Sequence, residues 1–383
     1  MTPSWLCCQL GAREHYAVPR ALQLSGLLAE LITDLWMRRA GRFHPGLAGA
    51  RVTAPNFATL RFELKASLAR ENGWKLIGRR NELFQHQALA RLKRTGTNGN
   101  HTVFAYSYAA SEIFEFARAR GWRTVLGQID PGPAEERIVG ELQESSDNKW
   151  QPAPKEYWDN WRRECSLADR VVVNSKWSGD ALVSEGVPAE KIQTIPLAYE
   201  PWTDTRSFQR IYARAFSASR RLRVLFLGQI NLRKGVRQLL DAVQLLKGEP
   251  VEFWFVGPTQ IHLSQDFKLH PQCRWFGIAP RGKVDNYYRD ADVFILPTLS
   301  DGFGLTQLEA QSWKLPVIAS RYCGDVVRDG FNGVLLDDVS GQAIANVLRR
   351  FLQTPATLEA LSIRSCVDDR FSLETLASSL KSL

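Results

Sequence analysis

The chain has 383 residues, 44% of them hydrophobic and 23% charged, with a formal net charge of +9. That length points to two domains rather than one, and the absence of any run of about 18 apolar residues argues against a transmembrane helix. Six cysteines without CxxC spacing (Cys7 and Cys8 together, then Cys165, Cys273, Cys323 and Cys366) give neither a zinc site nor a disulfide framework and read as buried thiols.

In chain order, an apolar segment at 5–10 ends at Gly11, and residues 12–22 turn towards helix. Strand, glycine and helix start form the phosphate-friendly opening of a doubly wound α/β domain. The N-terminus has no basic region ahead of its apolar run and no small-residue cleavage site, so it reads as a first strand in a cytoplasmic protein. A second apolar segment covers 27–36, residues 42–55 read as loop, and 57–69 and 83–92 carry helical spacing. Strand 102–108, helix 110–120, strand 122–129, helices 134–144 and 155–168, strand 170–174, a Ser175-capped helix to 185 and strand 191–196 continue a βαβ rhythm. A basic stretch at 205–218 has helical spacing without a strong apolar face and is taken as part of a linker over 201–221.

A new β-run begins at 222. Helix 236–246, strands 251–256 and 274–276, helix 282–290 and strand 293–296 follow, then helices at 342–352 and from 373. The expected organisation is a first domain at 1–200, the linker, a second domain at 222–365, and a C-terminal helical segment at 366–383 packing back on the first domain.

Three pieces carry chemistry. Gly228 to Gly235 links a strand to a helix and ends in Arg233-Lys234-Gly235. Two cations suit a helix N-terminus poorly, because the helix dipole prefers anions there, so a bound phosphate would resolve the conflict. The stretch Leu-Ser-Asp-Gly-Phe-Gly-Leu at 299–305 is a glycine loop between strand and short helix, with Ser300 and Asp301 as capping candidates and Glu309 one turn further on. Asp130 and His15 fall on loops at strand ends of the first half and can face the same crevice, or serve as cap and turn residues. Asp290 and Asp292 precede a strand at its amino edge and read as structural, no cluster has metal-ligand spacing, and the Gly-Lys-Ser/Thr ending of a P-loop is missing.

In combination these motifs resemble retaining glycosyltransferases of the two-domain GT-B fold, family 4, most strongly from about 222 to 336. The carriers are Asp-Gly-Phe-Gly-Leu-Thr-Gln-Leu-Glu-Ala at 301–310, Pro-Val-Ile-Ala-Ser at 316–320, Gly228 with Lys234-Gly235, Ala-Asp-Val-Phe-Ile-Leu-Pro at 291–297, and Asp-Gly-Phe-Asn-Gly at 329–333. The resemblance implies two Rossmann-like parallel-sheet α/β domains facing a cleft. It also implies transfer of a sugar, without a metal or cofactor, from a UDP- or GDP-linked donor to a glycan, lipid-linked or small-molecule acceptor. Glu309 would hold the ribose hydroxyls, Lys234 the diphosphate, with the backbone of Phe303, Gly304 and Leu305 meeting the phosphates beside the unencumbered Gly302. Asp301 would contact the transferred sugar, and Gly11 would approach the donor from the first domain.

Three departures from the family pattern stand out. Asp301 replaces a glutamate; Gln229 stands where arginine is frequent, with Arg233 as the substitute charge; Lys314 stands where a glycine usually ends the short helix. Many members carry a histidine at the end of the strand that here closes Gln128-Ile129-Asp130, so Asp130 is the candidate near the reacting carbon. A nucleotide-sugar epimerase of the same fold and a basic nucleic-acid-binding module are the rival readings, the latter without a recognised motif. The basic clusters at Arg38/Arg39/Arg42, Arg79/Arg80, Arg91/Lys93/Arg94, Arg118/Arg120/Arg123 and from Arg206 to Arg223 are either a solvated face or a contact for an anionic partner, including the inner face of a membrane.

Overall fold

The computed structural model describes residues 4–37, 44–96, 100–144, 150–201 and 205–383. The Arg38/Arg39/Arg42 cluster lies outside these residues. The first domain begins with β1 (Ser4–Gln9), α1 (Ala17–Leu24), β2 (Leu28–Thr33), β3 (Val52–Thr53), α2 (Asn56–Leu68) and α3 (Gly73–Leu92). It continues through β4 (His101–Tyr106), α4 (Ser111–Ala119), β5 (Arg123–Gln128), α5 (Pro133–Glu144), α6 (Lys155–Leu167), β6 (Arg170–Val173), α7 (Lys176–Ser184) and β7 (Ile192–Thr194). The second contains β8 (Leu222–Leu227), α8 (Val236–Leu245), β9 (Val251–Val256), α9 (Gln265–Lys268), β10 (Cys273–Gly277), α10 (Val284–Asp290), β11 (Val293–Leu296), α11 (Thr306–Ser312), β12 (Val317–Ala319) and β13 (Gly333–Leu335). Helices α12 (Gly341–Gln353), α13 (Ala356–Arg364) and α14 (Leu373–Lys381) close the chain.

Both sheets are parallel. Their orders are β3-β2-β1-β4-β5-β6-β7 and β10-β9-β8-β11-β12-β13. Each is doubly wound, so the order reverses beside β1 in one sheet and beside β8 in the other, the position where such sheets bind ligands at their carboxyl edge. Strands β4 and β11 are near-continuous apolar runs because helices cover both faces. The cores are separate. Leu6, Val103, Phe114 and Trp161 anchor one, and Val224, Phe253, Ile295 and Phe351 the other. Helix α14 returns to the first domain, where Leu376, Ala377 and Leu380 pack with Leu22, Val125 and Val172.

Local rules explain several boundaries. Ser175 caps α7, its Oγ accepting from the Ser178 N–H at 3.1 Å. At the end of α11, Leu315 N–H donates to Ala310 O and Lys314 N–H to Gln311 O, the Schellman pattern with Lys314 at φ 52°. The glycine-type turn is therefore kept with a lysine in it. Ser362 Oγ supports it by donating to Lys314 O at 2.7 Å.

Two sequence expectations fail. Residues 205–218 contain no helix. The half-buried Arg210 there donates from its guanidinium to the backbone carbonyls of Tyr288 (2.7 Å), Arg289 (2.9 Å), Trp313 (2.9 Å) and Ala291, which pins the segment as irregular chain across the second domain. Ser300 and Asp301 do not cap α11, which starts at Thr306 behind Leu305; their side chains are engaged elsewhere, as described next. Asp292 is structural, pairing with Arg220 at 2.6 Å and accepting from Arg223 N–H at 2.9 Å.

Candidate functional site

The carboxyl edges of the two sheets face each other across a cavity of about 550 Å³. The loop after β1 contributes Arg13 and Glu14, the end of β5 Ile129 and Asp130, α5 Glu135, and the end of β6 Asn174. From the second domain come Gly228, Gln229, Arg233 and Lys234 after β8, and Asp301 to Thr306 after β11. Of the predicted residues, Asp130, Arg233, Lys234 and Asp301 to Leu305 thus line one cavity from both sides, because in each sheet parallel strands deliver their following loops to the same edge.

The second-domain side is close-packed backbone. Gly235, at φ 75°, abuts Pro297 O so tightly that a Cβ would lie 1.9 Å from it. This sets the Lys234 loop directly against the strand end that carries Asp301. Lys234 Nζ and the Asp301 carboxylate form an ion pair, each side chain about 15% exposed, at 14% and 16%. A lysine ammonium has three donors, so this pairing leaves others for a ligand's oxygens. Arg233 is held differently. Its Nη1 donates to Ser300 O at 2.8 Å and pairs with Glu135 of the first domain at 3.2 Å. Ser300 Oγ donates to the same Glu135 oxygen at 2.8 Å and accepts from Trp177 Nε1 at 3.2 Å. Burial pushes the Glu135 carboxyl up to about 7, against the pull of Arg233.

Glu309 occupies an adjoining cavity of about 240 Å³ lined by His15, Tyr199, Val284, Tyr288 and Trp313. Leu227 and Thr306 line both spaces, which makes them neighbours. The Glu309 Oε2 accepts from Tyr288 OH at 2.6 Å. A carboxylate at the mouth of a part-aromatic pocket, next to a cationic loop, matches the polarity sequence of a nucleoside followed by phosphates.

On the first-domain side, Asp130 Oδ1 accepts from Tyr108 OH (2.5 Å), Gly132 N–H (2.9 Å) and Gln128 Nε2 (3.0 Å). Asp130 therefore organises its own loop while lining the cavity. Gly11, at φ 71°, donates its N–H to Asp34 at 2.8 Å, and the wall itself is made by Arg13 and Glu14 from the same loop. Glu14, His15 and Tyr16 are consecutive left-handed residues, at φ 50°, 52° and 59°. Such strain costs roughly 1 kcal/mol or more per residue and persists where the surroundings impose it. Glu14 accepts from Tyr106 OH at 3.0 Å, and burial pushes its carboxyl up to about 7.

Sequence reasoning missed Glu14, Glu135 and Tyr288. Glu135 had a signal, a Pro-Gly-Pro-Ala-Glu-Glu helix start at a strand's carboxyl end; nothing in the sequence marks Glu14 as left-handed. Among the described residues no group of three or more His, Cys, Asp or Glu side chains is arranged to hold a metal ion.

Residues 209–365 match the family model described as glycosyl transferases group 1. The match runs from within the linker to the end of the second domain. A D-inositol 3-phosphate glycosyltransferase of Thermobifida fusca is 28% identical over 240 residues, which is 55% of this chain and 53% of that protein. The chain spans about half the length of the relatives it matches. Among solved structures, Anabaena Alr3699/HepE in complex with UDP-glucose superposes with a TM-score of 0.64 at 15% identity, over 99% of this chain and all of that one. The catalytic domain of starch synthase IV from Arabidopsis thaliana, bound to ADP and acarbose, gives 0.68 at 14% identity, covering 100% and 98%. The fold is GT-B.

Proposed function

We propose that the protein is a retaining, family 4 glycosyltransferase that moves a sugar from a nucleoside-diphosphate donor to an acceptor held on the first domain. The observation that carries this reading is the run of complementary groups along one cleft: Glu309 with Tyr288, then Lys234 with Asp301, then the backbone of Gly302 to Leu305. The nucleoside lies in the Glu309 cavity, its ribose hydroxyls donating to that carboxylate. The diphosphate meets Lys234 and the loop N–H groups, with Arg233 released from Glu135 to join them. Asp301 takes the sugar hydroxyls. When the bond from the anomeric carbon to the diphosphate breaks, negative charge builds on the diphosphate, and fixed cations and N–H dipoles offset it without requiring a metal ion.

Asp130, Glu14 and the Gly11 loop form the acceptor side, and closure of the two domains completes the site. A UDP-linked donor draws support from the neighbour solved with UDP-glucose; a GDP-linked donor is the other candidate. The acceptor is a glycan, a lipid-linked sugar or a small molecule. The epimerase alternative is not favoured, since the matching family and relatives are glycosyl transferases. The unpaired cysteines suit a reducing, cytoplasmic setting.

A thermal-shift panel of nucleotide sugars tests the donor. At a hundredfold excess over Kd the cognate donor stabilises the fold by about 2.7 kcal/mol. Loss of that shift in Glu309→Ala, together with NMR showing the product anomer retained, supports the assignment. Full transfer and donor affinity in Glu309→Ala refute it.

A further inference from the structure

Helix α2 is built the wrong way round for a helix that serves its own domain. Its small residues Thr59 and Ala66 face inward and are buried, while Phe57, Leu60, Leu64 and Leu68 stand out at 79%, 57%, 62% and 77% exposure. The spacing of three, four and four residues aligns these four on one stripe along the whole helix. Other strongly exposed aliphatic residues, such as Ile211, Leu269, Ile278 and Ile363, are far apart in the chain, and only Ile363 of these lies within a helix.

The stripe has a basic border. Arg61 and Lys65 are exposed on the same helix, and Arg70 and Lys75 follow it. Between residues 56 and 80 the acidic side chains are Glu63 and Glu71, and each is engaged, by Arg80 and by Arg79. Among the described residues no carboxylate pairs with Arg61, Lys65, Arg70 or Lys75. An apolar stripe edged by uncompensated cations matches the profile of an anionic bilayer, apolar below the headgroups and negative at them. A second copy of the chain would bring the same cations face to face.

We infer that α2 docks the first domain on an anionic membrane surface, with Phe57, Leu60, Leu64 and Leu68 inserted between headgroups and Arg61 and Lys65 on lipid phosphates. The placement relates to the cleft. Asn56, at the start of α2, bonds both the N–H and the carbonyl of Trp36 at 2.8 and 2.7 Å, and Thr59 Oγ1 donates to Asp34 O at 2.8 Å. Trp36 packs edge-on against Tyr16 near His44, and His44 lines a cavity with Glu14 and His15. The docked helix thus ends at the first-domain rim of the site. Resting on the transferase reading above, this position selects a lipid-linked acceptor; the docking itself does not depend on that reading.

Co-sedimentation of the full chain with vesicles tests it. Phosphatidylcholine mixed with phosphatidylglycerol should pellet the protein, and phosphatidylcholine alone at least about tenfold less. Leu60→Glu with Leu64→Glu, and separately Arg61→Glu with Lys65→Glu, should each weaken pelleting by about tenfold or more while thermal unfolding and nucleotide-sugar shifts stay as in the wild type. The inference is overturned if the wild type stays in the supernatant, or if both double variants pellet like it. A wild-type dimer that Leu60→Glu with Leu64→Glu splits, with no vesicle binding, overturns it in favour of a contact between copies.

Discussion

At Gly302 the backbones of the two domains pass close to each other, and replacing it with alanine isolates what that approach is worth. A Cβ built on Gly302 lies 2.0 Å from Ile129 O and 3.0 Å from Ile129 C, both backbone atoms of the first domain. Nonbonded carbon and oxygen atoms need about 3 Å or more, so the backbones must part by roughly 1 Å. Neither atom can swing aside as a side chain would. Gly302 does not adopt a left-handed φ, so alanine brings no strain of its own. The gap would stretch the Glu135–Arg233 pair, now 3.2 Å, and the Trp177–Ser300 bond, also 3.2 Å. A misplacement of this order costs on the order of 10²-fold in rate, equivalent to about 2.7 kcal/mol of activation free energy. Steady-state transfer kinetics measure it, and calorimetric titration of the nucleoside diphosphate provides the control, because the side chains proposed to hold the donor, Glu309, Tyr288 and Lys234, lie on the second domain. The expected result is a hundredfold loss in kcat with nearly unchanged nucleotide affinity. Wild-type turnover would show that catalysis does not need this closed approach.

Glu309→Gln should weaken donor binding by roughly 10- to 100-fold, the worth of charge-assisted hydrogen bonds to a hydroxyl pair; calorimetry showing an unchanged Kd would remove Glu309 from the ribose. Lys314→Gly should stabilise the second domain by up to about 1 kcal/mol, because its φ of 52° suits glycine and the Schellman bonds involve backbone alone; denaturant midpoints decide it, and a loss would mean the lysine stem packs. Burial raises the carboxyls of Glu14, Glu135 and Glu164 from 4.5 to about 7. Between those values the folded chain holds protons that the unfolded chain releases, so stability should fall as pH rises through this window. Urea midpoints that climb from pH 4.5 to 7 would contradict this, and Glu135→Gln should flatten part of the decline.

How far the sequence was readable differs between the halves for physical reasons. In the second domain, loop chemistry is local: Gly235 meets Pro297 and Lys234 meets Asp301 because strands β8 and β11 are paired neighbours. Strand identities, glycines and charges are enough to place such contacts. The Ser175 cap and the left-handed residue at 314 are local in the same sense. Residues 205–218 have helical spacing of cations, but four carbonyls from 288, 289, 291 and 313 hold Arg210 and keep the segment irregular, a tertiary contact that spacing does not show. Helix α13 went unassigned for a related reason: with Leu358 and Leu361 buried, its fold depends on the core it joins.

The acceptor side shows where local reading stops. Glu14 faces the cleft because three successive residues are left-handed, a conformation that tertiary packing imposes and that no residue type there announces. Glu135 acquires its meaning from groups of the other domain, Arg233 and Ser300, which lie 98 and 165 positions away in the chain. Asp130 stands at a strand end, yet three donors already meet its Oδ1, which ties it to loop geometry as well as to the cavity. If closure is what brings donor and acceptor together, the cation meant for the diphosphate cannot stay on Glu135. The Glu135–Arg233 pair and the donor then compete for one guanidinium, and protonation of Glu135 weakens the pair without breaking its bond geometry. Donor binding measured against pH in the wild type and in Glu135→Gln separates that competition from closure itself. A shared pH dependence in the two proteins would mean that Arg233 is not what they contest.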